Sequence, residues 1–229
     1  MLVWGKRLEA PEPILLWILR RGSVIVKMLP VGPLQTNCYV VGCEKTGLAA
    51  VIDPGDEAER ILEVIQDSGL TVTHVLLTHA HFDHIAAVDE VMKATSAPLA
   101  LHPDDLPLLN AGGGSIFFGL QPPPIPDPTI RLAAGQEIPI GELTLHVLHT
   151  PGHTPGHVTF HEPKERVVFD GDVLFAQGIG RTDLPGGSYE TLMRSITQQL
   201  MTLPDDTAVY SGHGPATTIG RERASNPWL

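Results

Sequence analysis

Apolar runs alternate with turn residues along most of the chain. V-I-V-K-M-L at 24–29 and N-C-Y-V-V-G at 37–42 read as two strands joined by a Gly-Pro turn. L-A-A-V-I-D-P-G follows, a short strand closed by Pro54-Gly55. From 56 to 68, Ile61, Leu62, Val64 and Ile65 recur among charged positions, which predicts an amphipathic helix stopped by Gly69. V-T-H-V-L-L-T is a strand, 85–95 a helix, and A-P-L-A-L-H another strand. Further strands are expected near 137–140, 143–149, 157–161 and 166–170. A helix opened by Ser188 should run over 188–201, before a last strand at T-A-V-Y-S-G-H. This is no regular alternation of strand and helix. Two sheets packed face to face with helices outside fit it better than one doubly wound sheet.

Residues 110–129 break the pattern. G-G-G-S-I-F-F-G-L-Q-P-P-P-I-P-D-P holds little regular structure, and so long a loop in a compact domain is usually functional. Its apolar residues Ile116, Phe117, Phe118 and Leu120 are expected to wall a substrate cleft or a subunit contact, the latter in a homodimer; packing as a satellite of the core is the alternative. At the N-terminus, I-L-L-W-I-L at 14–19 is too short to span a bilayer, and Arg20 and Arg21 cut it off. Residues 1–23 are therefore read as an extension outside the main fold at 24–229, with Met28 an alternative start. No membrane association is expected, and the default location is cytoplasmic.

Composition narrows the partners. The 229 residues are 42% hydrophobic and 18% charged, which suits a folded domain with a real core. A formal net charge of −11 repels phosphate backbones, so no nucleic-acid partner is expected. The two cysteines, Cys38 and Cys43, lie five apart on one strand. Their side chains should point to opposite faces and serve as small core residues.

The chemistry sits where strands end. His79, His81, Asp83 and His84 follow L-L-T; His153 follows L-H-T-P-G; Asp172 follows V-V-F-D-G; His213 follows V-Y-S-G. Gly, Thr and Pro flank each, so the side chains stand in tight turns and can meet on one sheet rim. Imidazole and carboxylate suit zinc, iron or manganese. Seven donors exceed one tetrahedral ion. They suit two divalent ions about 3.5–4 Å apart that share a carboxylate, with a water or hydroxide between them. His74, His102, His146, His149, His157 and His161 are read as structural or surface residues.

T-H-A-H-F-D-H, T-P-G-H-T-P-G-H, F-D-G-D-V-L-F and S-G-H-G-P together resemble the metallo-β-lactamase fold superfamily. P-L-Q-T-N-C-Y, V-I-D-P-G, G-R-T-D-L-P-G and the closing T-T-I-G-R-E-R-A-S-N-P-W-L are similar to its glyoxalase II-like hydrolases. The likeness runs from about residue 27 to 229. It implies an α/β fold of the αββα sandwich type, with two mixed sheets and helices on the outer faces. It also implies that His79, His81 and His153 hold one metal, that Asp83, His84 and His213 hold the other, and that Asp172 bridges them. Asp83 and Asp172 would then be the catalytic carboxylates, and the metals are expected to be zinc, with iron or manganese as alternatives. Asp53 would orient the ligand loop; on its own it reads equally as a turn-forming aspartate. Arg181 matches the position of a basic glutathione-contacting residue and would bind a substrate carboxylate, the alternative being a pair with Asp183. Phe118 is expected at the substrate.

The implied activity is hydrolysis of a thioester such as hydroxyacylglutathione by a metal-bridging hydroxide. Alternatives are a persulfide dioxygenase with one iron, a lactonase, and a metal-bearing binding module without turnover. A true β-lactamase and an RNA-processing nuclease fit less well, the first because of the Asp172 bridge and the second because of the acidic charge.

Overall fold

The computed structural model describes residues 17–229. The first sheet holds seven strands in chain order: β1 (Trp17–Arg21), β2 (Val24–Val31), β3 (Thr36–Cys43), β4 (Leu48–Ile52), β5 (Thr71–Leu76), β6 (Leu99–Leu101) and β7 (Ile130–Arg131). The pairs from β1 to β4 are antiparallel and those from β4 to β7 are parallel. The second sheet has the order β15-β14-β11-β10-β9-β8. Its strands are β8 (Glu137–Ile140), β9 (Leu143–His149), β10 (Val158–Glu162), β11 (Val167–Gly171), β14 (Ala208–Ser211) and β15 (Thr217–Thr218). The short pair β12 (Leu174–Phe175) and β13 (Gly178–Ile179) stands apart.

Three buried clusters make the layers. Val24, Val26, Tyr39, Val41, Ile52 and Leu76 of the first sheet meet Ile138, Leu145, Val147, Phe160 and Phe169 of the second. On the outer face of the first sheet, Leu29, Val40, Val51 and Val75 pack on Ile61, Val64 and Val91 from α1 (Ala58–Ser68) and α3 (Val88–Thr95). On the outer face of the second, Val168 and Val209 pack on Leu192 and Ile196 beside α5 (Tyr189–Ser195), and on Ile219 of α6 (Ile219–Ser225). The order is helix, sheet, sheet, helix, as expected. Strands buried on both faces read as unbroken apolar runs, which is why the β2 and β3 segments lack alternation. Cys38 faces the outer cluster and Cys43 the inner one, both buried and unbridged.

Some details differ from the sequence reading. Residues 1–16 lie outside the described residues, but β1 pairs with β2 over its whole length, so the first sheet begins ahead of residue 24. Met28 lies inside β2. The helix expected at 85–95 is two pieces, α2 (Phe82–Ile85) and α3. The loop after α4 (Leu106–Asn110) contains a three-ten turn at Gly112–Phe118, made possible by glycines 113 and 114 at φ of 65° and 77°. A Cβ on Gly113 would lie 2.7 Å from the Ala80 carbonyl, so this turn is seated against the segment carrying His79 and His81. Among the described residues no helix is long and apolar enough to cross a membrane.

Candidate metal centre

The seven donors named from the sequence converge between the ends of the two sheets. His79, His81 and His153 offer ring nitrogens within 4.8 Å of one another, and so do the donor atoms of Asp83, His84 and His213. Asp172 stands between the two groups. Its Oδ2 is 3.6 Å from His153 Nε2 and 3.6 Å from His213 Nε2, and its Oδ1 is 3.6 Å from His84 Nε2. Gly212 permits that placement, since a Cβ there would fall on Asp172 Oδ1.

Four of the five rings are turned by a bond from their far side. Asp53 Oδ2 accepts hydrogen bonds from His84 Nδ1 at 3.0 Å and from the Thr78 hydroxyl at 2.7 Å. That hydroxyl therefore accepts from His79 Nδ1, at 3.0 Å. His153 Nδ1 donates to the Arg181 carbonyl at 2.8 Å, and His213 Nδ1 donates to the Leu34 carbonyl at 3.1 Å. The opposite nitrogens face inward, the arrangement that metal-ligating histidines need: those of His79 and His84 have no hydrogen-bond partner, His153 Nε2 lies 2.8 Å from His81 Nδ1, and His213 Nε2 lies 3.2 Å from Asp83 Oδ2. His79 Nε2, His84 Nε2 and Asp172 Oδ1 are buried with no partner in the chain. Orphaned buried polar atoms are costly, and a pair of divalent cations would satisfy all three, displacing the Nε2 proton that His84 otherwise carries. The donor set thus fits two ions, with imidazoles dominating one half and carboxylates entering the other.

The electrostatics differ across the site. Burial, reinforced by His153, holds His81 down to about 3. Burial opposes charge on His84 too, but Asp83, Asp172 and Asp53 together outweigh it and raise it to about 10. Burial would raise Asp83, yet His84, His213 and the Thr36 hydroxyl, at 2.9 Å, pull it well below the usual carboxylate range. The half containing Asp83 and Asp172 therefore attracts positive charge.

Asp53 is buried at φ 51°, a left-handed conformation that a non-glycine residue rarely adopts. Beyond its two side-chain contacts it accepts from the Thr78 backbone at 2.8 Å, so it ties β4 to the ligand turn. Arg181 stands on the rim of a cavity of about 400 Å³ that also touches His81, Asp83, His153, Asp172 and His213. Its guanidinium makes two bonds to Asp183, at 2.8 and 2.7 Å, the partner named as the alternative. Phe118 lines the same cavity, its ring 4.9 Å from that of Phe82.

Three supports were missed in the sequence. Asp105, fully buried, accepts from Ala80 N at 3.0 Å, the Thr154 hydroxyl at 2.8 Å and Gly156 N at 2.7 Å; it joins the turn of His79 and His81 to that of His153. His157, read as structural, is stacked on His79 at 5.0 Å and accepts from Asp172 N at 3.1 Å. Asn37 donates to the carbonyls of Ser211 and Gly214, both at 2.9 Å, which shapes the turn of His213. Of the three, only His157 stands beside a turn glycine, Gly156; nothing local marks Asp105 or Asn37.

A fold of two mixed sheets whose paired ends carry clustered His and Asp donors defines a class of metal-dependent hydrolases, and comparison with known proteins agrees. The metallo-beta-lactamase superfamily model matches residues 31–213. The hydroxyacylglutathione hydrolase GloC of Haemophilus influenzae is 38% identical over 210 residues, 89% of this chain and 97% of that protein. The crystal structure of the BLEG-1 B3 metallo-beta-lactamase is 42% identical, with a TM-score of 0.83 over 89% of this chain and 99% of that one. TTHA1623 in a di-iron-bound form is 43% identical, with a TM-score of 0.79 over 88% and 99%. The chain belongs to the metallo-beta-lactamase superfamily. It is a metallo-hydrolase of that superfamily, with a His and Asp cluster suited to divalent metal.

Proposed function

We propose that the protein is a dinuclear metal-dependent hydrolase of thioesters, with hydroxyacylglutathione as the substrate class. The observation that carries the dinuclear reading is Asp172, whose two oxygens face His153 and His213 on one side and His84 on the other. The likeness to GloC supports the thioester. Two divalent ions held there would activate water at neutral pH and polarise a carbonyl oxygen. In this reading His79, His81 and His153 hold one ion, Asp83, His84 and His213 hold the other, and Asp172 serves both. Asp53 and His157 keep His84 and Asp172 in place. Leu34, Phe118, Phe175 and Ile179 wall the cavity and limit bulk water. Arg181 is positioned to meet an anionic arm of the substrate, provided that it exchanges Asp183 for a substrate carboxylate. Overall, water adds to the acyl carbon, the carbon–sulfur bond breaks, and acid and thiol leave.

The likeness to BLEG-1 favours a second reading, hydrolysis of a lactam by the same centre. One set of measurements separates the readings: metal analysis of purified protein, beside turnover of S-D-lactoylglutathione, a lactone, a chromogenic cephalosporin and glutathione persulfide. Near two equivalents of metal with thioester hydrolysis is the expected result. Cephalosporin turnover without thioester turnover would replace it with the lactam reading. One iron with oxygen uptake on the persulfide would overturn it.

A further inference from the structure

Beside the metal cavity lies a second one, of about 430 Å³. Leu34, Phe82, Asp83 and Phe118 belong to both, so the two adjoin at the donor group of Asp83. The walls of the second are apolar: Val31, Pro33, Leu34, Ala86, Leu120 and Pro123. Leu34, Phe118 and Leu120 remain about half exposed (50%, 49% and 50%), and an occupant would cover them. Burying such surface is favourable in proportion to its area. No basic side chain lines the cavity, whereas Asp56 and Asp83 do, so it disfavours an anionic group. The metal cavity has its cation, Arg181, on its own rim, and Arg181 does not line the second cavity. Ser115, only 1% exposed, lines the apolar wall and its Oγ has no partner in the chain.

These observations give the substrate a direction. We infer that the second cavity is a subsite for an uncharged, apolar acyl group, which extends from the scissile carbonyl while a charged leaving group lies toward Arg181. The inference rests on the hydrolase reading for the position of the carbonyl. Its content is separate: the preferred acyl group is longer and more apolar than lactoyl.

The test uses thioesters of glutathione with acetyl, butanoyl and hexanoyl groups, and, independent of any turnover, binding of butanamide, hexanamide and octanamide to the metal-loaded protein. For the wild type, kcat/KM should rise about three- to fourfold per added methylene, roughly a hundredfold from acetyl to hexanoyl, and amide affinity should rise with length. Leu120→Asp places a carboxylate in the cavity at a half-exposed position that the fold tolerates. It should lower the hexanoyl-to-acetyl ratio about tenfold or more and abolish the length dependence of amide binding. Thioester turnover with a flat length dependence would overturn the subsite and leave the hydrolase standing. Length-dependent amide binding lost in Leu120→Asp, but without thioester turnover, would uphold the subsite and overturn the thioester reading. A length dependence unchanged in Leu120→Asp would overturn the location. If that variant also changed oligomeric state, the face would be a subunit contact.

Discussion

Asp105 offers the sharpest test of how the centre is built, because one carboxylate joins two ligand turns. Ala80 lies between His79 and His81, and Thr154 follows His153. Asp105→Ala removes the acceptor for two backbone N–H groups and one hydroxyl, all buried. An unpaired buried donor costs about 1–3 kcal/mol. The Thr154 hydroxyl can rotate toward another acceptor, so the two N–H groups dominate and the loss should be about 4 kcal/mol. Against a domain stability of about 5–15 kcal/mol that is a large fraction. Asp105→Asn is the finer probe. Its amide oxygen replaces Oδ2 toward Ala80 and Thr154, but its NH₂ then faces the Gly156 N–H. One charge-assisted bond is lost and two donors are opposed, for about 2–3 kcal/mol.

The assay is urea unfolding of the metal-stripped protein, followed by metal titration of each variant. Stability should fall in the order wild type, Asn, Ala. Metal affinity should drop about 10–100-fold in the Asn variant, the usual effect of losing a group that orients a ligand. An Asn variant within about 0.5 kcal/mol of wild type in the metal-free state would refute the reasoning, since surface substitutions commonly fall in that range. Normal stability loss with unchanged metal affinity would show that the two turns are held by the metals and not by Asp105.

Two further outcomes follow from the geometry. Asp172→Asn keeps the shape and removes the charge shared by the two donor groups; metal analysis should find less than wild-type content and assays little turnover, whereas full stoichiometry with full activity would sink the shared role. Asp183 is held down at about 2, chiefly by its hydrogen bond from Arg181; since its pKa is depressed, the pair is intact above the ordinary carboxylate value of about 4 and dissolves as pH falls through about 2. Arg181→Gln should return Asp183 to the ordinary range in an NMR titration, and an unmoved Asp183 would mean that the guanidinium is already free for substrate in solution.

The clustering of the seven donors was legible because its signal is local. H-x-H-x-D-H after an apolar run has few uses other than metal, and the remaining donors sit at strand ends beside turn residues. The sheets were legible for a similar reason, since β-branched runs bounded by Gly and Pro have a short period. Apart from Asp53, what supports these donors was not legible. Asp104 and Asp105 are neighbours in the sequence, yet Asp104 is exposed while Asp105 is buried under two ligand turns. Its partners are backbone groups 25 and 51 residues away, and no pattern of residue types marks such an acceptor. Arg181 shows the converse. Its side chain drew attention, but its carbonyl turns His153, a role that any residue type fills. Helix α6 escaped notice because Glu222 is buried where the helical period calls for an apolar residue, and it accepts from Thr217 and Asn226.

The same division separates reaction from substrate. The donors come from strand ends whose sequence can be recognised, and they define the chemistry that the centre supports. The walls come from residues 31–36, 55–56, 82–86 and 115–123, which are remote in sequence and meet only in the fold. Relatives that share the donors can still differ at the wall positions that are not donors, which is how one fold serves many reactions. Positions such as Leu34, Phe118 and Leu120 are therefore where substrate preference is expected to be set once the donors are in place. For this chain those three positions favour an apolar acyl group, and exchanging them should move substrate preference while metal content stays constant.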